Sequence, residues 1–517
     1  MSDSIRAVRR APSRKAFAGA EASADRHGVG GGRSADRRSL GGGGEPGPGR
    51  EPAGVPVTGR YGSVVMKFGG TSVADADAII RLVDLVRRQA EAQADDDNKP
   101  PVVVVSALSG VTDRLIAIAH VAEEGEVDRA VASLRELLER HVTVASGVTT
   151  GANQSKALAE VREEFEGLIS LVHALAVLRE VSPRSLDAVV ASGELASSRI
   201  VARALAERGV PAAWIDARTV VITDAEHTGA APDTTATCER AREHIGLAAA
   251  RGQVTVLGGF IGATTSGVTT TLGRGGSDYS GAIIGACLGV GEIQIWTDVD
   301  GMLTADPRIV AEPRVVPQLS FAEASELAYF GVKVLHPSTI LPAVTQNIPV
   351  RILNSRRPES LGTLITAEAQ SPDAQLTAIA CKRNVTVVDI TSTRMLMAHG
   401  FLRRLFEVFE RFKTAVDVVT TSEVSVSVTV DDTRRLEAIV DNLRSFAEVE
   451  CEPEMAIVSA VGENLRTDPT LFGRAVTSLD RIPLRLVSQA ASRRNITFVL
   501  RDADVPQAMI RLHEAFF

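Results

Sequence analysis

The chain has 517 residues, 44% of them hydrophobic, enough for two or three domains with cores of their own. Its formal net charge of −8 leaves no basic footprint for nucleic acid or an anionic membrane, and no apolar run approaches the roughly 20 residues that a membrane-spanning helix needs. Cys238, Cys287, Cys381 and Cys451 show no CxxC spacing, so a reduced, cytosolic protein with buried, inert thiols is expected rather than a disulfide or zinc framework.

Residues 1–60 hold two glycine runs, many arginines and almost no large apolar residue. Such a stretch buries too little surface to offset its ordering entropy, and a disordered tail is predicted. It lacks the apolar core of a secretory signal. Its Arg, Ala and Ser content allows a transit peptide, but Asp25, Asp36, Glu45 and Glu51 count against one and favour a solvated tail or a start codon placed too early.

Ordered structure begins with a buried strand, Val64–Phe68, that leads into Gly69-Gly70-Thr71-Ser72. Ile79, Leu82, Val83 and Val86 then recur at helical spacing. The run Val102–Val105 suits a parallel strand covered on both faces and ends in a second small-residue loop, 106–112. Helices are predicted over much of 113–180, a strand-to-loop edge at 188–194, and strands at 212–215, 254–257 and 292–297. The segment 269–278, TTTLGRGGSD, precedes a small-residue helix at 280–288. Its glycines Gly273, Gly275 and Gly276 allow close approach of backbone N–H groups to an anion. Arg274 can grip a carboxylate or phosphate with two parallel hydrogen bonds. Strands alternating with helices predict an α/β fold, an open and mostly parallel sheet with helices on both faces and the site at the strands' carboxyl ends.

Near residue 365 the pattern changes. A strand at 383–390, a helix at 401–412 and a strand at 416–420 are followed by Val424, Val426, Val428 and Val430 alternating with polar residues. A helix at 434–443 and a strand near Val449 complete a βαββαβ unit, and a second, similar pass runs to the C-terminus. The expected division is a tail at 1–60, a catalytic domain at 61–365, and two ferredoxin-like units at 375–452 and 453–517, the second sharing a strand from 376–390. The repeat carries no catalytic cluster and reads as a sensing or dimerising module.

Taken together, KFGGTS (67–72), SALSGVT (106–112), ASGE (191–194), TTTLGRGGSD, WTDVDG (296–301), DPR (306–308) and FGVKVLHP (330–337) make the chain resemble the aspartate kinases of the amino-acid kinase family. The likeness runs from Val64 to the C-terminus and is strongest to monofunctional, lysine-sensitive enzymes of bacteria and plants, with the repeats resembling ACT domains. It implies transfer of the γ-phosphoryl of ATP, supplied with Mg²⁺ and without a prosthetic group, to the side-chain carboxylate of L-aspartate. That carboxylate, with a pKa of about 3.9, is ionised at neutral pH and needs no general base. Charge neutralisation and in-line positioning remain as the catalytic tasks.

On this resemblance Lys67 is the cation on the transferring phosphoryl, Gly69 and Gly70 donate N–H groups to its oxygens, and Asp278 orients the lysine. Arg274 clamps an aspartate carboxylate and Glu194 its ammonium, with Thr71, Ser72, Thr112, Gly275 and Ser277 lining the acceptor side. Thr297, Asp298, Asp306, Arg308, Lys333 and Val334 border the nucleotide, while His336 is read as packing. Leu303 stands where relatives carry an aromatic beside the nucleotide. An effector, lysine by preference, is expected at Met395, Gly400, Phe401, Leu402, Val416, Asp417, Thr421, Ser422 and Glu423. Asp417 and Glu423 are candidates for its ammonium, and Ala398 departs from a serine of some relatives. The plainer reading of Ser422 and Glu423 is that they cap a turn. The partners implied are aspartate, ATP, an allosteric amino acid and at least one further copy of the chain, in the cytoplasm. A kinase for glutamate, acetylglutamate or UMP, and a catalytically silent amino-acid sensor, are the rivals. A Rossmann oxidoreductase is weaker still, because no GxGxxG follows the first strand.

Overall fold

Short runs of Val and Ile, apolar on both faces, build the central sheet, as buried parallel strands require. The computed structural model describes residues 63–95, 99–332, 337–368, 375–392, 399–489 and 492–517. Its first part runs β1 (Val64–Phe68), α1 (Ala76–Asp95), β2 (Val102–Val105), α2 (Val111–Glu123), α3 (Val127–Val148), α4 (Gly151–Leu178), α5 (Pro183–Glu207), β3 (Ala212–Trp214), β4 (Ile222–Thr223) and α6 (Thr234–Ala249). It continues with β5 (Val254–Gly258), β6 (Ile261–Thr264), β7 (Thr269–Thr271), α7 (Gly276–Leu288), β8 (Glu292–Thr297), β9 (Gln318–Ser320), α8 (Phe321–Tyr329), α9 (Leu341–Thr345), β10 (Val350–Asn354) and β11 (Thr363–Thr366).

Eight strands form one sheet in the order β3-β5-β2-β1-β8-β10-β11-β9, with every pairing parallel except β10 with β11. β4, β6 and β7 make a small separate sheet. Phe68 stands level with Val105 on one side and Trp296 on the other, so the loops after β1, β2 and β8 emerge side by side. The two-residue period of a strand sends alternate side chains to opposite faces. Val65, Val102 and Val104 join the core that includes Ala282 and Ile283 of α7. Met66, Val103 and Val105 join the core built by α1 to α5.

Two expectations fail here. Residues 188–194 are no strand edge but lie within α5, a 25-residue helix that starts on a Ser182 cap and is buried along much of its length. The alanine- and valine-rich run reads as a strand only if the flanking helical residues are set aside. The cysteines differ too: Cys238 of α6 and Cys287 of α7 are joined in a disulfide, leaving Cys381 and Cys451 free. Forty-nine residues separate the pair, so nothing in their spacing signals that two neighbouring helices bring them together.

The second part runs β12 (Gln375–Thr391), α10 (Phe401–Arg411), β13 (Val419–Thr421), β14 (Ser425–Val430), α11 (Leu436–Arg444), β15 (Glu448–Glu463), α12 (Pro469–Ser478), β16 (Leu486–Ser488), β17 (Asn495–Arg501) and α13 (Val505–Phe516). Its strands form one antiparallel sheet ordered β13-β14-β12-β15-β17-β16. β12 and β15 cross both halves, with register shifts at Lys382–Val387. One half buries Ile390, Leu405, Val428 and Ile439 together. The other buries Val458, Phe498, Ala475 and Met509. Val385, Val387, Met455 and Ile457 join the core that holds Phe321 and Leu327 of α8, so part of the sheet packs on the kinase-like part. The tail at 1–60 and the expected site residues Lys333, Val334, His336 and Met395 lie outside the described residues.

Candidate active site

The loops after β1 and β2 meet closely because Gly70 has no side chain. A Cβ there would lie 3.2 Å from the Ala107 carbonyl oxygen and 3.5 Å from the Ser109 Cα. Lys67, on the face of β1 toward α7, is buried, and a Cβ on Gly281 of that helix would sit 3.4 Å from its own Cβ. Its Nζ lies 2.7 Å from Asp278 Oδ1. That oxygen is shielded from water and meets no other donor, so the ammonium is its counter-charge. Gly275, in the left-handed region at φ 71°, caps α7 and puts Asp278 in the first turn, where a carboxylate suits the helix dipole. The helix thus opens four residues before its expected start, and the predicted lysine–aspartate pair is formed.

Two predicted donors are already committed. Gly69 N–H donates to the Trp296 carbonyl at 3.0 Å, extending the β1–β8 ladder, so of the glycine pair it is Gly70 that keeps its amide out of that ladder. Ser72 is buried, its Oγ 2.8 Å from Ser355 Oγ and 3.3 Å from the Trp296 oxygen, and it braces the loop instead of facing a ligand. Thr71 and Thr112 are half-buried at the start of their helical turns.

Glu194 lies inside α5, buried where Gly258 lets the helix approach the end of β5; a Cβ on Gly258 would be 3.0 Å from the Glu194 Cβ. Its Oε1 accepts the Ala107 N–H at 3.2 Å, and its Oε2 has no partner. Burial raises its pKa to about 8. Arg274 is exposed on the glycine turn and makes no salt bridge among the described residues. Ser277 is half-buried beside it, and Gly259 is tied to small size by the Ser277 backbone, whose Cα would be 2.8 Å from an added Cβ. Helix α5 thus supplies one orphaned carboxylate oxygen, the turn before α7 an exposed guanidinium without a salt bridge, and β1 with α7 a lysine–carboxylate pair.

Thr297 ends β8 beside this cluster, its Oγ1 3.3 Å from Asp298 Oδ1 on the exposed turn that follows. Arg308 is 83% exposed and folds onto Asp306, with Nη2–Oδ2 at 2.6 Å and the main-chain N–H to Oδ1 at 2.9 Å. The arginine's hydrogen bonds hold the Asp306 carboxyl below its usual range. Leu303 is half-buried and bridges to Val315.

The expected effector residues do not form one group. Phe401 is a core residue, edge-on to Phe446 at 5.8 Å, while Leu402 and the left-handed cap Gly400 are exposed at the start of α10. Ser422 closes the β13–β14 turn, its Oγ accepting the Ser425 N–H at 3.1 Å, as the plainer reading expected. Thr421 and Glu423 are exposed there, and Val416 is half-buried. β13 separates Asp417 from Glu423, and at about 3.3 Å per strand residue one ammonium cannot meet both in one protomer. Asp417 instead accepts from Lys382 Nζ at 2.7 Å and from the Tyr329 hydroxyl at 2.9 Å, with its second oxygen buried and unpartnered. Lys382 also reaches Asp431 at 2.9 Å. Sequence reading missed this junction, because its members are separated in the chain and none belongs to a glycine-rich motif.

Family models fit this geometry. The Amino acid kinase family model matches residues 62–354 and an ACT domain model matches 458–516. Aspartokinase 3, chloroplastic, of Arabidopsis thaliana is 37% identical, covering 88% of this chain and 81% of its own. Lysine-sensitive aspartokinase 3 of Escherichia coli is 36% identical, covering 88% and 99%. The solved structure of E. coli aspartokinase III with aspartate and ADP superposes with a TM-score of 0.75 at 35% identity, covering 88% of this chain and 99% of that one. The same enzyme with lysine and aspartate gives 0.73. The chain belongs to the amino acid kinase family. Within that family it is an aspartokinase, with the regulatory ACT architecture at its C-terminal end.

Proposed function

We propose that this aspartokinase transfers the γ-phosphoryl of MgATP to the side-chain carboxylate of L-aspartate, giving 4-phospho-L-aspartate and ADP, the entry step to lysine, threonine and methionine synthesis. The observation that carries the residue assignment is the Lys67–Asp278 pair at 2.7 Å where glycine-rich loops converge. In this reading Lys67 neutralises charge on the transferring phosphoryl and Asp278 holds its ammonium in place, which is the main demand of phosphoryl transfer. The Glu194 oxygen without a partner suits an ammonium, and exposed Arg274 suits a carboxylate, so the two ends of aspartate are held with its side chain turned to the nucleotide. The metal enters with ATP, held mainly by phosphates and waters. Thr297 and Asp298 border the nucleotide. Arg308 serves it after leaving Asp306.

Lysine is the proposed inhibitor, acting at the ACT sheet by favouring an arrangement with lower substrate affinity. Two supports are the lysine sensitivity named for the E. coli relative and the buried, unpartnered Asp417 oxygen. The exposed edge strand β13 supports pairing of two copies, since unpaired strand edges recruit partners. The proposed functional division keeps 61–365 as the catalytic part, with 375–452 and 453–517 as two repeat passes that share β12 and β15. A cytoplasmic location is proposed from the acidic residues of the tail, with a plastid as the alternative raised by the chloroplastic relatives. The test is ATP turnover with aspartate, glutamate, acetylglutamate and UMP as acceptors, repeated with lysine, threonine and methionine. Turnover with aspartate alone, lowered by lysine, is expected. No aspartate-dependent turnover defeats the catalytic reading, and indifference to lysine defeats the regulatory one.

A further inference from the structure

We propose that Asp187 is a positioning residue for the acceptor half of the site, fixing the separation between Glu194 and Arg274 and so the grip on the acceptor's α-ammonium and α-carboxylate. The inference rests on the assignment of those two residues to aspartate made above.

Asp187 and Glu194 both project from α5, seven residues and therefore two turns apart, on one face of the helix. Asp187 is completely buried. Its Oδ2 is 2.7 Å from His227 Nδ1, both of its oxygens are 3.1 Å from the Thr228 N–H, and its Oδ1 accepts from Thr271 Oγ1 at 2.6 Å. The donors thus come from the 227–228 turn and from the last residue of β7, three residues before Arg274.

The grip passes directly to the arginine turn. Thr228 sits at φ 68°, a conformation that a β-branched residue avoids unless its surroundings hold it there. Its carbonyl oxygen would lie 3.2 Å from a Cβ on Gly273, and the Gly229 Cα 3.4 Å from the same point. Gly273, itself at φ 75°, therefore rests against the backbone that Asp187 holds. The Ala230 N–H donates to the Thr271 carbonyl at 2.9 Å and closes the bracket.

A buried carboxylate with several donors is ordinary as a stabilising device. What marks this one is the placing of its ends, one on the helix of Glu194 and the other on the turn of Arg274. Lys67 and Asp278 are braced separately, by β1 and by the α7 contact in which Ser280 Oγ accepts the Phe260 N–H at 2.9 Å. Loosening Asp187 should therefore shift the acceptor's two anchors relative to each other and leave the phosphoryl side in place.

The test uses the full chain with Thr271→Val, His227→Ala and Asp187→Asn, measuring kinetics with aspartate, glutamate and ATP. Thr271→Val and Asp187→Asn are expected to raise the aspartate KM by about fivefold to tenfold, a lost charge-assisted hydrogen bond. The kcat and the ATP KM should stay within about twofold, and any KM for glutamate, which carries the same two α groups, should rise in parallel. Lower thermal stability with unchanged aspartate KM in the folded variants would show a structural role only and overturn the proposal. If Asp187→Asn does not fold, Thr271→Val and His227→Ala decide. Glu194→Gln and Arg274→Ala serve as controls. If they leave the aspartate KM unchanged, the acceptor assignment and this proposal fall together. If they raise it and the Asp187 set does not, the positioning role alone falls.

Discussion

Lys67–Asp278 and Lys382–Asp417 are both lysine–aspartate pairs largely shielded from solvent, each with a nitrogen–oxygen distance of 2.7 Å. The first lies at strand ends beside Gly69, and its ammonium pairs with one carboxylate among the described residues. The second lies where β12 bulges against α8, and its lysine is shared between Asp417 and Asp431 under the Tyr329 ring, 5.1 Å from the ring centre. Burial and the acidic neighbour Asp417 push the Tyr329 phenol well above its usual pKa. Equal distance therefore does not mean equal role. In the proposed reading a lysine with one counter-ion on a glycine loop takes a ligand, whereas a lysine with two, under an aromatic ring, ties one layer of the molecule to another.

The largest effect should separate the pairs by activity. Lys67→Met, which keeps the apolar stem, is expected to lower turnover by about 10³-fold or more, and Asp278→Ala by about 10²-fold, with the fold retained by circular dichroism. Near-normal turnover in either would end the comparison. Lys382→Met should do the reverse. Leaving the Asp417 carboxylate buried without its ammonium is expected to cost about 2 kcal/mol in denaturant unfolding, less than for a fully buried pair because the lysine is partly exposed, with turnover changed only a few-fold.

Glu194 offers a pH test of the acceptor side. Its pKa is raised from 4.5 to about 8, so without ligand the folded protein holds a proton there that the unfolded chain releases. Its contribution to stability is therefore fully present below 4.5 and is lost as the pH rises through about 8. An ammonium at the site must expel that proton, so the aspartate KM should climb as the pH falls below about 8, approaching about tenfold per unit. Glu194→Gln should flatten both profiles, and a pH-independent KM in the parent protein would refute the coupling. The smallest effect is that of Tyr329→Phe, which removes one hydrogen bond to Asp417 and should cost about 1 kcal/mol in unfolding while leaving turnover intact.

The pairing of Lys67 with Asp278 was legible because both sit beside glycine-rich loops. Lys67, Gly70, Arg274 and Asp278 lie in segments whose glycines announce a close approach, the first two at or just after the end of β1 of the large sheet and the last two after β7 of the small one. Ser72 and Gly69 were misjudged for a physical reason. A hydroxyl or an amide in such a loop looks available until its tertiary partner is known, and both partners, Ser355 and Trp296, lie more than two hundred residues away. The segment 188–194 was misread because a small apolar run suits strand and buried helix alike. The effector residues were matched as a contiguous motif, but a strand sends neighbours to opposite faces and distant positions to opposite ends, which divided Asp417 from Glu423.

The two long strands β12 and β15, of 17 and 16 residues, carry a practical consequence for anyone dissecting the protein. Their shared ladder gives the repeat halves no seam at which the chain can be cut without stranding peptide groups of both. Removing residues 453–517 would strip β12 of its partners from Gln375 to Lys382 and bare a row of amides ready to aggregate. A regulatory chimera should therefore exchange the whole six-stranded plate, joined before Gln375, and amide exchange should find its central strands opening as one cooperative unit.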